Sequence, residues 1–225
     1  MEEHILLIAF GKKYIDILIE NHNLIPNNYK LVVYTNDVDT LKNTLNNADV
    51  REYKRNLFRY FDKVSLTYKL SVEKKKPILY IDVGRLKEVP NKVWKMNLNN
   101  IKDIHYLGHW GNIESANDLV NHESEYFENG YWDNILSFFS SEVDLKLIPI
   151  ILERIFILPY NNKMKNFIKH FELIRPLFEH TSLTKHNVYD GIGNGEGLAI
   201  GYSILKSNNS LVHIAESENI KKDLI

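Results

Sequence analysis

Apolar residues fall along this chain in short, dense runs separated by amphipathic stretches. HILLIAF, residues 4–10, is almost continuously apolar, the pattern of a strand covered on both faces. Gly11 closes it. KKYIDILIENHN then spaces Ile15, Leu18 and Ile19 as a helix does, and Pro26 with two asparagines turns the chain. KLVVYTND is a second β-branched run ending in turn residues, and VDTLKNTLNN reads as a short helix. RNLFRYFDKVSLTYKLSVEKK sets Leu57, Phe61, Val64 and Tyr68 on one stripe of an amphipathic helix. Pro77 stops it, and ILYID follows as a third strand.

This alternation predicts a mainly parallel sheet with strands near 4–10, 30–35 and 78–82, joined by crossover helices. Ligands of such sheets bind beyond the carboxyl ends of the strands, where Gly11, Asn36, Asp37 and Asp82 stand.

The second half is less regular. NKVWKMNLNNIKDIHYLGHWGN is polar and aromatic and reads as loop with short elements. YWDNILSFFS looks helical, and LIPIILERIFILP is apolar on either side of Glu153 and Arg154. NKMKNFIKHFELIRPLFEHT is a long amphipathic helix with Phe167, Phe171, Ile174 and Phe178 on one side and Pro176 as a point for a kink. A glycine-rich loop, GIGNGEGLAIG, feeds a helix, and SLVHIAE reads as a last strand. With no repeat, linker or low-complexity tail, the expectation is one α/β domain over residues 1–225.

Composition narrows the setting more than the function. A chain of 225 residues that is 44% hydrophobic can bury one sizeable core. With 28 basic and 29 acidic residues, no overall field points to nucleic acid or an anionic membrane. The absence of cysteine removes disulfides and thiolate metal sites. The first apolar run follows two acids and is shorter than a signal peptide or a membrane span requires. The expected setting is therefore cytoplasmic, with no transmembrane segment and no nucleic-acid partner.

Asp82 is the first residue with chemical promise. A carboxylate at a parallel strand's end can hold a cation or a sugar hydroxyl; it can equally cap a turn. Arg85, close behind, can pair with phosphate or form a surface salt bridge. His213 lies on an apolar strand and reads as a metal ligand or a core histidine. His105 and His109 have a zinc-like spacing, but their loop setting and the missing glutamate argue against a zinc site. The glycine-rich loop presents backbone N–H groups, Gly195 among them, to an anion. It lacks the Gly-Lys-Ser/Thr ending of a Walker loop. Glu196 starts the following helix and can cap it or face an acceptor hydroxyl. Glu153 and Asp190 carry the same two readings.

The stretch FRYFDKVSLTYKLSVEKKKPILYIDVGRL resembles the core of the GT-A fold glycosyltransferases, in which a helix bearing a basic residue precedes a strand ending in an Asp-x-Asp motif. HILLIAFG is similar to their first strand and LVVYTND to their second. The resemblance covers about the first 90 residues well and the rest loosely, through ERIFILPYNNKMKNFIKHFELI and GNGEGLAIGYSIL. It implies a Rossmann-like GT-A fold, with residues 1–90 as the nucleotide-sugar-binding half and 91–225 as the acceptor side. The implied activity moves a sugar from a nucleotide-diphosphate donor to a glycan or other hydroxyl acceptor. Thr35, Asn36 and Asp37 would lie near the nucleoside, Lys63 would face the donor, and Asp82 would touch ribose, sugar or metal. The family's motif holds Mn2+ or Mg2+ on the donor diphosphate, often with a late histidine, here His213. Here Gly84 fills the second acid position, which leaves Arg85 as a substitute for the metal's charge. Glu153 and Glu196 are the acids available for catalysis. Two alternatives accompany this reading: a sugar nucleotidyltransferase, and a non-catalytic carbohydrate- or protein-binding module on a degenerate transferase fold.

Overall fold

The computed structural model describes residues 2–54, 61–107, 114–120, 131–151, 153–182 and 195–214. The expectations placed on Leu57, His109, Asp190 and most of the glycine-rich loop fall outside them. In chain order the elements are β1 (Glu3–Ala9), α1 (Lys12–Asn21), β2 (Tyr29–Thr35), α2 (Val38–Thr44) and β3 (Asp49–Glu52). Next come α3 (Asp62–Lys74), β4 (Ile78–Ile81), α4 (Asn91–Trp94), β5 (Ile104–Tyr106), α5 (Ala116–Val120) and α6 (Tyr131–Glu142). The last are β6 (Ile155–Leu158), α7 (Lys163–Ser182), α8 (Glu196–Lys206) and β7 (Leu211–His213).

The chain forms two compact units. The first combines Met1–Leu107, Arg154–Asn161 and Leu211–Ile225; the second combines Gly108–Glu153 and Asn162–Ser210.

The first unit is built on a seven-stranded sheet of order β3-β2-β1-β4-β6-β5-β7. β1 runs parallel to β2 and β4, β2 to β3, and β5 to β7; β6 is antiparallel to both neighbours. The α/β class and mainly parallel sheet expected from the sequence are what the chain adopts. β1 lies between β2 and β4, and Ile5, Leu6, Leu7 and Ala9 are all fully buried. That double-sided burial explains a run with no polar alternation. On one face Ile5, Leu7, Val33, Leu79, Ile81 and Ile157 pack with Ile15 and Leu18 of α1 and with Leu86, Val93 and Met96.

The helix containing Val64 forms as expected, with Phe61 and Val64 of the predicted stripe buried and the buried face extending to Thr67, Leu70 and Ser71. Lys63 is buried as well, whereas Tyr68 is only half-buried. Lys75, in the left-handed region, ends it, and its N–H donates to the Ser71 carbonyl.

Three strands escaped the sequence reading. β3 is a charged edge strand, Asp49-Val50-Arg51-Glu52, with Val50 its only apolar residue. β5 has three residues inside the stretch read as loop with short elements, none of them read as a strand. β6 is the second half of the apolar run after Glu153-Arg154 and supplies the antiparallel member of the sheet.

In the second unit α7 buries Phe167, Phe171, Ile174 and Phe178, the side read from the sequence. Phe139 of α6 meets Phe178 of α7 at a centroid distance of 6.1 Å and Tyr202 of α8 at 4.6 Å. Two glycines of α8, Gly197 and Gly201, let the extended segment around Pro149 approach the helix backbone. A Cβ at residue 197 would sit 2.2 Å from the Ile151 oxygen, and one at 201 would sit 1.7 Å from the Pro149 oxygen. No described helix is long and apolar enough to cross a membrane.

Candidate functional site

The strand order defines a candidate crevice. From β1 the chain leaves through α1 toward β2 on one side; from β4 it leaves toward the other half of the sheet. Connections that diverge in this way leave a crevice at the carboxyl ends of the two strands. Gly11, Asn36 and Asp82 stand at that edge.

Gly11 has φ 81° and ψ 154°, a conformation that only glycine adopts readily. A Cβ there would meet nothing within 4 Å, so the backbone, not packing, requires the glycine. Its N–H donates to Asn36 Oδ1 at 2.8 Å, tying the end of β1 to the end of β2. Thr35 is fully buried, and its hydroxyl accepts the Asp37 N–H at 3.1 Å. Asp37 caps α2: its carboxylate accepts the Thr40 N–H at 3.2 Å and the Thr40 hydroxyl at 2.8 Å. Of the three residues expected near a nucleoside, Asn36 is the exposed one.

One strand over, Tyr53 closes the edge. Its N–H donates to the Thr35 carbonyl at 2.6 Å, and its ring meets Phe10 edge-on at 5.4 Å. The Tyr53 hydroxyl donates to Asp62 Oδ2 at 2.6 Å, both groups buried. That bond pins the first turn of α3, which carries Lys63. Lys63 is 1% exposed and so is buried, not a solvated surface lysine.

Asp82 directly follows β4. Its N–H donates to the Arg154 carbonyl at 2.8 Å, and its carbonyl accepts the Arg85 N–H at 2.8 Å. Oδ1 accepts the Tyr80 hydroxyl at 2.6 Å. Oδ2 accepts no hydrogen bond among the described residues, and the side chain is half-buried. The Arg85 guanidinium lies on the Glu88 carboxylate at 2.7 and 2.9 Å, a partly exposed pair of the kind that adds little stability. A Cβ on Gly84 would lie 3.9 Å from the Tyr14 ring, an ordinary contact, so neither packing nor backbone conformation requires a glycine there.

His213 is not brought to Asp82. Strand register aligns Tyr80 with Phe156, Phe156 with Tyr106, and Tyr106 with His213. Tyr80 stacks on Phe156 at 4.8 Å, and Tyr106 meets His213 edge-on at 5.1 Å. β6 and β5 thus separate β4 from β7, about 14 Å at the usual strand spacing. Among the described residues no group of three His, Asp or Glu side chains could hold a metal ion. Asp82 offers one uncommitted oxygen and Gly84 none, a donor set that does not by itself fit a protein-held cation needing six or more oxygens.

The remaining acids lie in the second unit. Glu153 is 8% and Glu196 3% exposed. Gly195, at φ 64°, caps α8, and its carbonyl accepts the Ala199 N–H at 2.9 Å. Glu196 begins the helix, and Glu153 Oε2 lies 3.3 Å from where a Cβ on residue 197 would be. Glu153 therefore lies beside the N-terminal end of the helix that Glu196 begins, where the helix dipole favours negative charge.

Sequence reasoning passed over Tyr80, Tyr53 and Asp62. Tyr80 carried a usable signal, because two residues before a strand-ending acid is the same face of the strand. Tyr53 and Asp62 carried none, since their meeting depends on β3.

The chain matches no protein-family model, and no curated protein matches it. Solved structures similar to it include the bifunctional IspDF of Campylobacter jejuni, at 13% identity and TM-score 0.46, with 99% of this chain and 52% of that one covered. The chain thus spans about half the length of that protein. Another is the galactosyltransferase LgtC in complex with donor and acceptor sugar analogues, at 11% identity and TM-score 0.44, covering 93% of this chain and 72% of that one. An active-site mutant of LgtC follows at 9% identity and TM-score 0.41, with the same coverage. At these values the similarities add nothing to what the strand order itself establishes.

Proposed function

We propose that this chain is a glycosyltransferase, moving a sugar from a nucleotide-diphosphate sugar to a glycan or other hydroxyl acceptor. The observation that carries the reading is Asp82. Its carboxylate stands beside the switch between β1 and β4, with one oxygen fixed by Tyr80 and the other unclaimed by the protein's described residues. The resemblance of the first 90 residues to the GT-A core supports the same assignment.

In this reading Asn36 and the backbone at Gly11 meet the nucleoside, with Thr35 and Asp37 shaping the turn beneath it. Asp82 accepts hydrogen bonds from hydroxyls of the ribose or the transferred sugar. Lys63 and Arg85 supply positive charge toward the diphosphate, Arg85 by exchanging Glu88 for phosphate. In the second unit, Glu153 and Glu196 are the candidate catalytic acids and the backbone at Gly195 a candidate anion contact.

Turnover of a panel of uridine and guanosine diphosphate sugars, with and without manganese, tests the proposal. Asp82→Asn preserves shape and turn preference. It is expected to keep the melting temperature and to lower turnover by roughly a hundredfold or more, about 3 kcal/mol of transition-state stabilisation. Near-wild-type turnover in a stable Asp82→Asn protein would remove Asp82 from the chemistry. Gly84 favours a second reading, a binding module that has lost catalysis. Donor binding without turnover under every condition would select it.

A further inference from the structure

Tyr80 is 1% exposed, and its ring is held by the stack on Phe156 at 4.8 Å. Its hydroxyl reaches Asp82 Oδ1 at 2.6 Å. The backbone of Asp82 is separately anchored through the Arg154 carbonyl at 2.8 Å. A carboxylate anchored only by its backbone turns among staggered rotamers, and its two oxygens are interchangeable to a ligand. Here one oxygen is bonded to a group that cannot swing away without breaking an aromatic stack, and the other points elsewhere.

We propose that Tyr80 is a positioning residue for the donor site: its hydroxyl selects the rotamer of Asp82 and presents Oδ2 to the sugar or ribose hydroxyls of the bound nucleotide sugar. The inference rests on the donor-binding reading above. A carboxylate is an acceptor only, so the groups it orders on a ligand are hydroxyls, not phosphate oxygens. Preorganisation acts through the rotamer entropy that binding otherwise costs. Its loss therefore weakens binding without removing a direct contact.

The alternative is that Tyr80 merely satisfies its own buried hydroxyl. A double-mutant cycle separates the two, because residues that act as one unit are non-additive. Titration calorimetry with a uridine diphosphate hexose and a guanosine diphosphate hexose would be run on wild type, Tyr80→Phe, Asp82→Ala and the double variant. Tyr80→Phe is expected to weaken binding roughly tenfold, and Asp82→Ala at least as much. The double variant is expected to bind no more weakly than Asp82→Ala. Should Tyr80→Phe melt early, the same cycle is read at a temperature where circular dichroism shows it folded. Wild-type affinity in Tyr80→Phe, or additive losses in the double variant, overturns the positioning role and leaves the donor reading standing. Failure of the wild type to bind either ligand overturns the donor reading, and the proposal with it.

Discussion

Two glycines in this chain do opposite kinds of work, and substitution distinguishes them. At Gly201 a side chain has no room: its Cβ would lie 1.7 Å from the Pro149 oxygen, a backbone atom with nowhere to move. Gly201→Ala is expected to lose about 3 kcal/mol or more, at the upper end of overpacking costs, seen as a lower urea midpoint. At Gly84 the space is open. Gly84→Asp is expected to leave the stability within about 0.5 kcal/mol of wild type, as surface substitutions do. It would also place a second carboxylate two residues after Asp82. Calorimetry with manganese and uridine diphosphate should then show metal-dependent binding stronger than in the wild type. No gain in a folded Gly84→Asp protein would mean that the local geometry, and not the missing acid, sets the metal behaviour.

At the scale of elements, the carboxyl edge of the sheet is held by caps and cross-strand ties that double as candidate ligand contacts. Asp37 shows how the roles part. Both carboxylate oxygens engage Thr40 at the start of α2. Asp37→Ala is expected to cost about 1 kcal/mol, the usual loss of an N-cap, and Asp37→Asn much less. Chemical denaturation reads both. If Asp37 serves the donor only by shaping the turn, Asp37→Asn should bind nucleotide sugar as the wild type does.

Across the whole molecule, His4, His105 and Glu73 push stability the same way with pH. Burial lowers the pKa of His4, with Lys74 and Lys76 adding to it, and burial lowers that of His105. The folded protein therefore holds these rings neutral where the unfolded chain, titrating near 6.5, takes up protons. Their contribution is complete above about pH 6.5 and is lost as pH falls through the lowered folded values. Glu73 acts lower down. Hydrogen bonds from Arg51 hold its pKa at about 2 against an ordinary 4.5, so its share fades between those values. That share is modest and salt-sensitive, because the Glu73 side chain is 45% exposed. Melting temperature is expected to decline as pH is lowered from about 7 to about 5, with a shallower decline in His105→Gln. A flat profile over that interval would contradict the buried neutral histidines.

The sequence by itself determined the elements whose burial is written into a period: β1, β2 and β4 as dense apolar runs, and α1 and α7 by their stripes. It also placed Asn36 and Asp82 at carboxyl ends, because strand ends and turn residues are local properties. Local pattern could not reveal β3, β5 or β6, which are short or charged and become strands only because a neighbouring edge offers unpaired backbone. Tertiary structure alone decided which candidates share a neighbourhood. It put Tyr80 on Asp82 and Glu153 beside the start of α8, and it set two strands between His213 and Asp82. It also buried Lys63, since the face a helix presents to a sheet depends on where its first turn is pinned. Here Tyr53, on the far side of a crossover, holds that turn through Asp62.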